Sequence, residues 1–157
     1  MKPEIWYDWD NNKNQSVFEN NFYNLHAPDI KEDTTMDANM KKRNELLAKT
    51  VIKGLESRNM SGYYAQDKEA ALKQALELIP NGSTIAMGGC MSAHEIGLVK
   101  VLQEGEYNYI DRAKLEPREG LMAAYDADFF LSSANAVTDD GVLVNIDGNS
   151  NRVSCIA

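Results

Sequence analysis

The chain has 157 residues, of which 43% are hydrophobic and 25% charged, and this composition is typical of one globular domain with a hydrophobic core. Its 24 acidic and 16 basic side chains give a net charge of -8, which would repel a phosphate backbone, so we expect no binding to nucleic acid. The N-terminus has no secretion-signal pattern, no apolar run has the length that crosses a bilayer, and two cysteines are too few for a disulfide framework, so we expect a cytoplasmic protein that does not bind membranes.

Residues 1–40 differ from the rest of the chain and are predicted to form an N-terminal extension. They contain an asparagine-rich stretch and both tryptophans, Trp6 and Trp9. These aromatic side chains either pack against the protein's own core or anchor a partner. Ser16 and Glu19 have the spacing of a capping box, which predicts one short helix within the extension.

Residues 41–157 alternate between helical and strand patterns. The pattern first predicts a helix from Lys41 to about Asn59, a short strand at Tyr63 and Tyr64, and a helix that is capped by Asp67 and stops at Pro80. It then predicts a strand at 84–87 and a helix from Ser92 to Gly105, with a capping box that Glu95 completes. The last predicted elements are a strand at 107–110, a helix from Pro117 to about Tyr125, and a strand at 129–131. This alternation predicts an α/β fold, with a largely parallel sheet that has helices on both faces.

The first segment that suggests a site is the turn after the strand at 84–87. Gly88 and Gly89 would let backbone N–H groups approach a ligand closely, and the start of a helix at Ser92 would add partial positive charge, so the turn predicts an anion site. A tight turn without a ligand remains the alternative. The spacing matches neither GxxxxGK nor GxGxxG, the two nucleotide-binding glycine motifs.

Cys90 lies in the same turn, where the pKa of a thiol tends to fall, which makes it a candidate reactive residue. His94 and Glu95 follow it closely, but two ligands do not make a metal site and Cys155 lies far along the chain. We therefore predict no metal in this chain and favour a small turn residue over a catalytic thiol at position 90.

The second segment spans residues 126–152, where a hydrophobic strand ends abruptly in polar residues. Ligands of open α/β sheets lie off the carboxyl ends of strands, so Asn135 and Thr138 are expected to face a site together with Asp147 and Arg152. Asn and Asp are also common turn formers, and a structural role stays open for each of them. Arg152 is predicted to bind a carboxylate through both arms of its guanidinium, while Asp147 either contacts the ligand or orients this arginine.

These two segments carry a family resemblance. GSTIAMGGCMSAHEIGLVKVL resembles the strand, GGS, short variable stretch and EIG of LUD (lactate-utilization) domains, and SSANAVTDDGVLVNIDGNSNRV is similar to that family's NAIT(E/D)DG, LVNIDG and GNR signature. The likeness covers about residues 45–157. It implies a fold like that of ribose-phosphate isomerases and CoA transferases. It also implies a role similar to that of a lactate-utilization subunit, which works with iron–sulfur partners in oxidising L-lactate to pyruvate.

The residues and the resemblance together predict a protein that binds a small organic acid or a phosphorylated metabolite. The predicted ligand-binding residues are Gly88, Gly89, Cys90, Ser92, Glu95, Asn135, Thr138, Asp147, Asn151 and Arg152. The chain has no cysteine motif for an iron–sulfur cluster, so such clusters are expected only in partner subunits. Two alternatives stay open. One is an enzyme similar to sugar-phosphate isomerases or CoA transferases, with catalytic candidates Asp139, Asp140, Asp147 and Cys90. The other is a non-catalytic regulatory or structural subunit.

Two departures from the family pattern qualify this interpretation. The family has serine where this chain has Cys90, so the role of a hydroxyl group there does not carry over. Family members continue past the arginine motif with a GPK-type turn and a further buried strand, whereas this sequence ends at Ala157. We therefore expect residues 41–157 to be an incomplete domain, with exposed apolar surface, a partner subunit or a second copy of the chain beside the sheet.

Overall fold

The computed structural model describes residues 4–5 and 38–157, so the helix predicted from Ser16 and Glu19 lies outside the described residues. The helices are α1 (Ala38–Ser57), α2 (Lys68–Leu78), α3 (Met91–Glu95), α4 (Leu98–Glu104), α5 (Pro117–Tyr125) and α6 (Val153–Ile156), with a 3₁₀ turn at Arg112–Lys114. The strands are β1 (Glu4–Ile5), β2 (Ser61–Gly62), β3 (Thr84–Met87), β4 (Asn108–Tyr109), β5 (Phe129–Leu131), β6 (Ala136–Val137) and β7 (Leu143–Val144).

A three-stranded parallel sheet lies at the centre of the fold. Its strand order is β4-β3-β5, and Ile85 of β3 is in register with Tyr109 on one side and Phe129 on the other. Ile85 and Ala86 of the central strand have no exposed surface, so the strand is covered on both faces. Its apolar sequence is typical of a strand in this position. Helix α4 contacts β4, and α5 contacts β3. The prediction of an α/β fold with a parallel sheet and helices around it is confirmed.

The hydrophobic core joins the sheet to α2, α3 and α4. Its largest fully buried side chains are Ile85 and Leu102. The core cluster consists of Ala75, Ile79, Ile85, Cys90, Ala93, Leu98, Val99, Leu102 and Leu131. Removal of this apolar surface from water is the main term that stabilises the arrangement.

Local sequence signals set the ends of two helices as predicted. The Asp67 side chain accepts a hydrogen bond of 2.8 Å from the backbone N–H of Ala70 and so caps α2. Pro117 is the first residue of α5, where its missing N–H costs no helical hydrogen bond.

The region after β3 differs from its prediction. Helix α3 begins at Met91, its N-cap is Cys90, and no side chain caps it, so the predicted capping box of Ser92 and Glu95 is wrong. The helix also stops at Glu95, because Gly97 adopts the left-handed conformation (φ 77°) before α4 begins. The single helix expected from Ser92 to Gly105 is therefore two short helices.

The short strand predicted at Tyr63 and Tyr64 lies two residues earlier, at Ser61–Gly62. There β2 pairs in parallel with β1, and Glu4 is in register with Ser61. The partner strand is far away in the sequence, so the local pattern around the tyrosines could not locate the pairing.

Strands β6 and β7 form an antiparallel hairpin that docks onto α1. A Cβ atom on Gly54 would lie 2.0 Å from the carbonyl oxygen of Asp140, so the two backbones meet at a distance that only glycine allows. Gly141 faces the same contact, since its Cβ would lie 2.5 Å from the backbone nitrogen of Leu55. Arg58 adds a hydrogen bond of 2.6 Å to the Asp140 carbonyl oxygen and an ion pair of 3.3 Å with its carboxylate.

Among the described residues, no helix combines the length and the apolar character that a membrane span requires.

Candidate functional site

An open cleft of about 490 Å³ lies beyond the carboxyl end of the central strand β3. This is the edge at which ligands of open α/β sheets bind. The residues that line the cleft are Met87, Gly88, Gly89, Arg112, Ala113, Leu115, Pro117, Gly120, Asp147, Asn151 and Arg152. Residues of the glycine turn and of the second polar segment, among them Gly88, Gly89 and Arg152, therefore meet at one cleft.

The two glycines of the turn have different roles. A Cβ atom on Gly88 would lie 2.4 Å from Cζ of Phe130 and 3.3 Å from Cγ of Arg152, so Gly88 is required for packing between β3 and β5. Gly89 adopts a positive φ of 62°, is exposed, and has nothing within 4 Å of the Cβ position. The open space beside Gly89 is compatible with a ligand that approaches the backbone closely.

Helix α3 contributes less to this turn than its sequence suggested. It has five residues, and few peptide dipoles are aligned in so short a helix. Any strong preference of the cleft for an anion must therefore come from side-chain charge.

Cys90 belongs to the core and is not among the residues that line the cleft. It is 9% exposed and lies in the core cluster, and its Sγ accepts a hydrogen bond of 3.4 Å from Oγ of Ser133. This position agrees with the interpretation of Cys90 as a small residue that fills the turn.

Arg152 is engaged by neighbouring residues of its own chain. Its Nη1 donates to the carbonyl oxygen of Ser133 and, at 3.2 Å, to Oδ1 of Asn145. Its Nη2 donates to Oδ1 of Asn135 at 2.6 Å and to the carbonyl oxygen of Ile146 at 2.8 Å. Four acceptors match the four N–H groups of these two nitrogens. The guanidinium therefore braces residues 133–146, which differs from the predicted role as a clamp for a ligand carboxylate.

Asp147 holds the start of α6 in place. Its Oδ2 accepts hydrogen bonds from the backbone N–H groups of Val153, at 2.8 Å, and of Arg152, at 3.0 Å. The hydrogen bond from Val153 is the main reason why the pKa of this carboxyl is lowered, with smaller contributions from Ser150 and Arg152, while partial burial opposes them. Asp147 lines the cleft as an ionised group whose hydrogen-bonding capacity is partly used.

Several residues that the sequence pointed to lie away from the lining of the cleft. Thr138, Asp139 and Asp140 are in the turn of the β6–β7 hairpin, where Thr138 Oγ1 donates to Asp140 and accepts from the backbone N–H of Val142 at 2.9 Å. Ser92 is half-buried in α3, and Glu95 forms an ion pair of 3.6 Å with Lys68. Asn135 reaches the site only indirectly, through Arg152. Of the acidic catalytic candidates, the cleft contains Asp147 alone.

Arg112 is the charged residue of the cleft that sequence reasoning missed. It begins the 3₁₀ turn after β4, its stem lies beside Gly120, where a Cβ atom would be 3.6 Å from Cβ and Cγ of the arginine, and its Nη1 is 3.5 Å from the carbonyl oxygen of Met87. In the sequence it stands among alternating charges, DRAK, which are typical of an exposed turn. Its position directly after a strand of the sheet was the available signal.

The family model of the LUD domain matches residues 48–157, which include the second half of α1, the whole parallel sheet and the cleft. No curated protein matches this sequence, and no solved structure matches it. In the part of the chain that the structure describes, no group of three or more His, Cys, Asp or Glu residues could hold a metal ion.

Proposed function

The chain belongs to the LUD domain family, and from that premise we propose that it binds a small organic acid or a phosphorylated metabolite in the cleft beyond β3. The family is associated with lactate utilization. The corresponding role is that of a subunit in an iron–sulfur oxidoreductase complex that oxidises L-lactate to pyruvate. In that complex the clusters belong to the partner subunits, and this chain contributes the metabolite site.

The observation that carries the proposal is the composition of the cleft. A volume of about 490 Å³ is within the range of small-molecule sites, and its lining combines apolar side chains with two arginines and one carboxylate. Arginines at the carboxyl edge of a parallel sheet favour an anionic ligand, even though the whole chain has a net charge of -8.

The alternative of an isomerase-like or transferase-like enzyme receives less support from this geometry. It needs a general acid and a general base within reach of one ligand. Asp139 and Asp140 lie in the hairpin turn, and the Asp147 carboxylate already accepts backbone hydrogen bonds that lower its pKa. We therefore do not propose acid–base catalysis by these three residues.

Thermal-shift measurements with L-lactate, pyruvate, ribose 5-phosphate and CoA test the proposal. A ligand present at about 100 times its Kd stabilises the folded protein by about 2.7 kcal/mol, which corresponds to roughly 5 to 10 °C for a chain of this size. We expect such a shift with at least one of the four compounds. If none raises the melting temperature even at millimolar concentration, the proposal is wrong.

Gly89→Val checks that the binding occurs in this cleft. The substituent would occupy the open space beside the turn, so the thermal shift should disappear while the helical content, followed by circular dichroism, stays largely intact. Gly82→Val is the matched control, since Gly82 also has a positive φ (82°) and nothing within 4 Å, but is not among the residues that line the cleft. Strain alone would affect both variants, whereas blocked binding affects only the first.

A further inference from the structure

We propose that Arg112, rather than Arg152, binds the anionic group of the ligand. This assignment rests on the proposed function, because it names the residue through which the same cleft recognises a carboxylate or phosphate group. It gives a binding role to a residue that lies outside both sequence motifs.

The two arginines of the cleft differ in how many of their N–H groups are hydrogen-bonded within the chain. All four N–H groups on the terminal nitrogens of Arg152 have acceptors within the chain. A ligand could bind these nitrogens only by displacing those acceptors, which would release residues 133–146 from the guanidinium. Arg152 therefore shapes the site and is a positioning residue.

Arg112, in contrast, has hydrogen-bonding capacity left. Its one hydrogen bond within the described residues is the contact of Nη1 with the Met87 carbonyl oxygen, which at 3.5 Å is long. It forms no ion pair with any described carboxylate, and the nearest in sequence, Asp111, already pairs with Lys114 at 3.1 Å and accepts from the backbone N–H of Ala113. A half-buried guanidinium with free donors is suited to bidentate binding of paired oxygen atoms.

The surroundings of Arg112 define the ligand further. Met87, Leu115 and Pro117 give the cleft an apolar wall, against which a short carbon chain or a sugar face can pack. The charged groups of the lining are Arg112, Arg152 and the ionised Asp147. Because Asp147 offsets one of the two positive charges, the ligand class is a small molecule with a single anionic group, carboxylate or phosphate, next to an uncharged body.

Titration calorimetry with pyruvate and with ribose 5-phosphate, on the full chain, tests the assignment and separates the two anion types. Arg112→Gln should raise the Kd of whichever probe binds by at least about tenfold, and Arg112→Lys should recover only part of the loss because the fork geometry is absent. Arg118→Gln is the control for charge: Arg118 is exposed on α5, is not among the lining residues, and its loss should leave the Kd within about twofold of the wild-type value.

Chemical modification gives a second, independent readout. Phenylglyoxal reacts with accessible guanidinium groups, so mass spectrometry should find Arg112 modified much faster than Arg152, and the probe that binds should protect Arg112. A wild-type Kd in Arg112→Gln, or faster modification of Arg152, would overturn the assignment while the proposed function stands. If neither probe nor any of the other compounds binds the wild-type chain, both are overturned.

Discussion

Replacing Arg152 with glutamine removes a guanidinium that ties four acceptors together at the cleft. Hydrogen bonds to charged groups contribute about 1.5 to 3 kcal/mol each when they are shielded, and much less when water can replace them. Two of the four, to Ser133 and Asn145, are half-buried, and the other two are exposed. Since the glutamine amide can restore part of this network, we expect the free energy of unfolding to fall by about 2 to 3 kcal/mol.

Urea unfolding followed by circular dichroism measures this loss directly, and the melting temperature should fall by roughly 4 to 12 °C. Arg152→Lys keeps the charge but offers one donor point instead of a fork. It should therefore lower the free energy of unfolding by more than half as much as Arg152→Gln does. Arg118→Gln, an exposed arginine on α5, should change stability by less than about 0.5 kcal/mol. A value for Arg152→Gln within about 0.5 kcal/mol of the wild type would refute the role of the guanidinium as a brace.

Three further predictions concern the turn and the start of α6. Gly88→Ala should lower the free energy of unfolding by about 1 to 3 kcal/mol, because its methyl group would meet Phe130 at 2.4 Å, whereas Gly148→Ala, with nothing within 4 Å, should be close to neutral in the same urea titration. The pKa of Asp147 is lower in the folded protein than its ordinary value of 3.8, so its stabilising effect is present above that value and is lost as the pH falls through the folded pKa. Unfolding curves between pH 6 and roughly pH 2 should therefore show a steeper loss of stability for the wild type than for Asp147→Asn; equal slopes would contradict this. Cys90→Ser should keep ligand binding, measured by calorimetry, within about threefold of the wild type, and a loss of more than about tenfold would instead assign the thiol a chemical role.

The central sheet could be predicted from the sequence because its signals are local. The run TIAM is apolar and bounded by Gly82 and Gly88, Pro117 marks the start of α5, and FFL is a short buried run, and each of these elements has the predicted position. The division of the helix after β3 could not be predicted, because a glycine within an apolar periodic stretch does not reveal its φ angle. Gly97 adopts φ 77° and ends the first segment.

The candidate site was harder to predict because its features depend on contacts between distant parts of the chain. Thr138 follows a buried strand, which suggested a place in the cleft, but it lies in the turn of the hairpin, and this turn contacts α1 through Asp140. Arg152 lies beside Gly88, and its four acceptors are not apparent from a sequence motif. Arg112 stands in a charged turn, and only the folded backbone brings it into the cleft.

The contact between Gly54 and Gly141 has a consequence for how the chain folds. The β6–β7 hairpin has two residues in each strand, and a two-stranded hairpin of this size is not stable by itself in water. It depends on its docking onto α1, where Arg58 and Asp140 pair across 82 residues of sequence. Contacts over such separations require closure of a long loop, so we expect the hairpin to form after the parallel sheet. In native-state hydrogen exchange its amides should open as one unit, at lower free energy than those of β3.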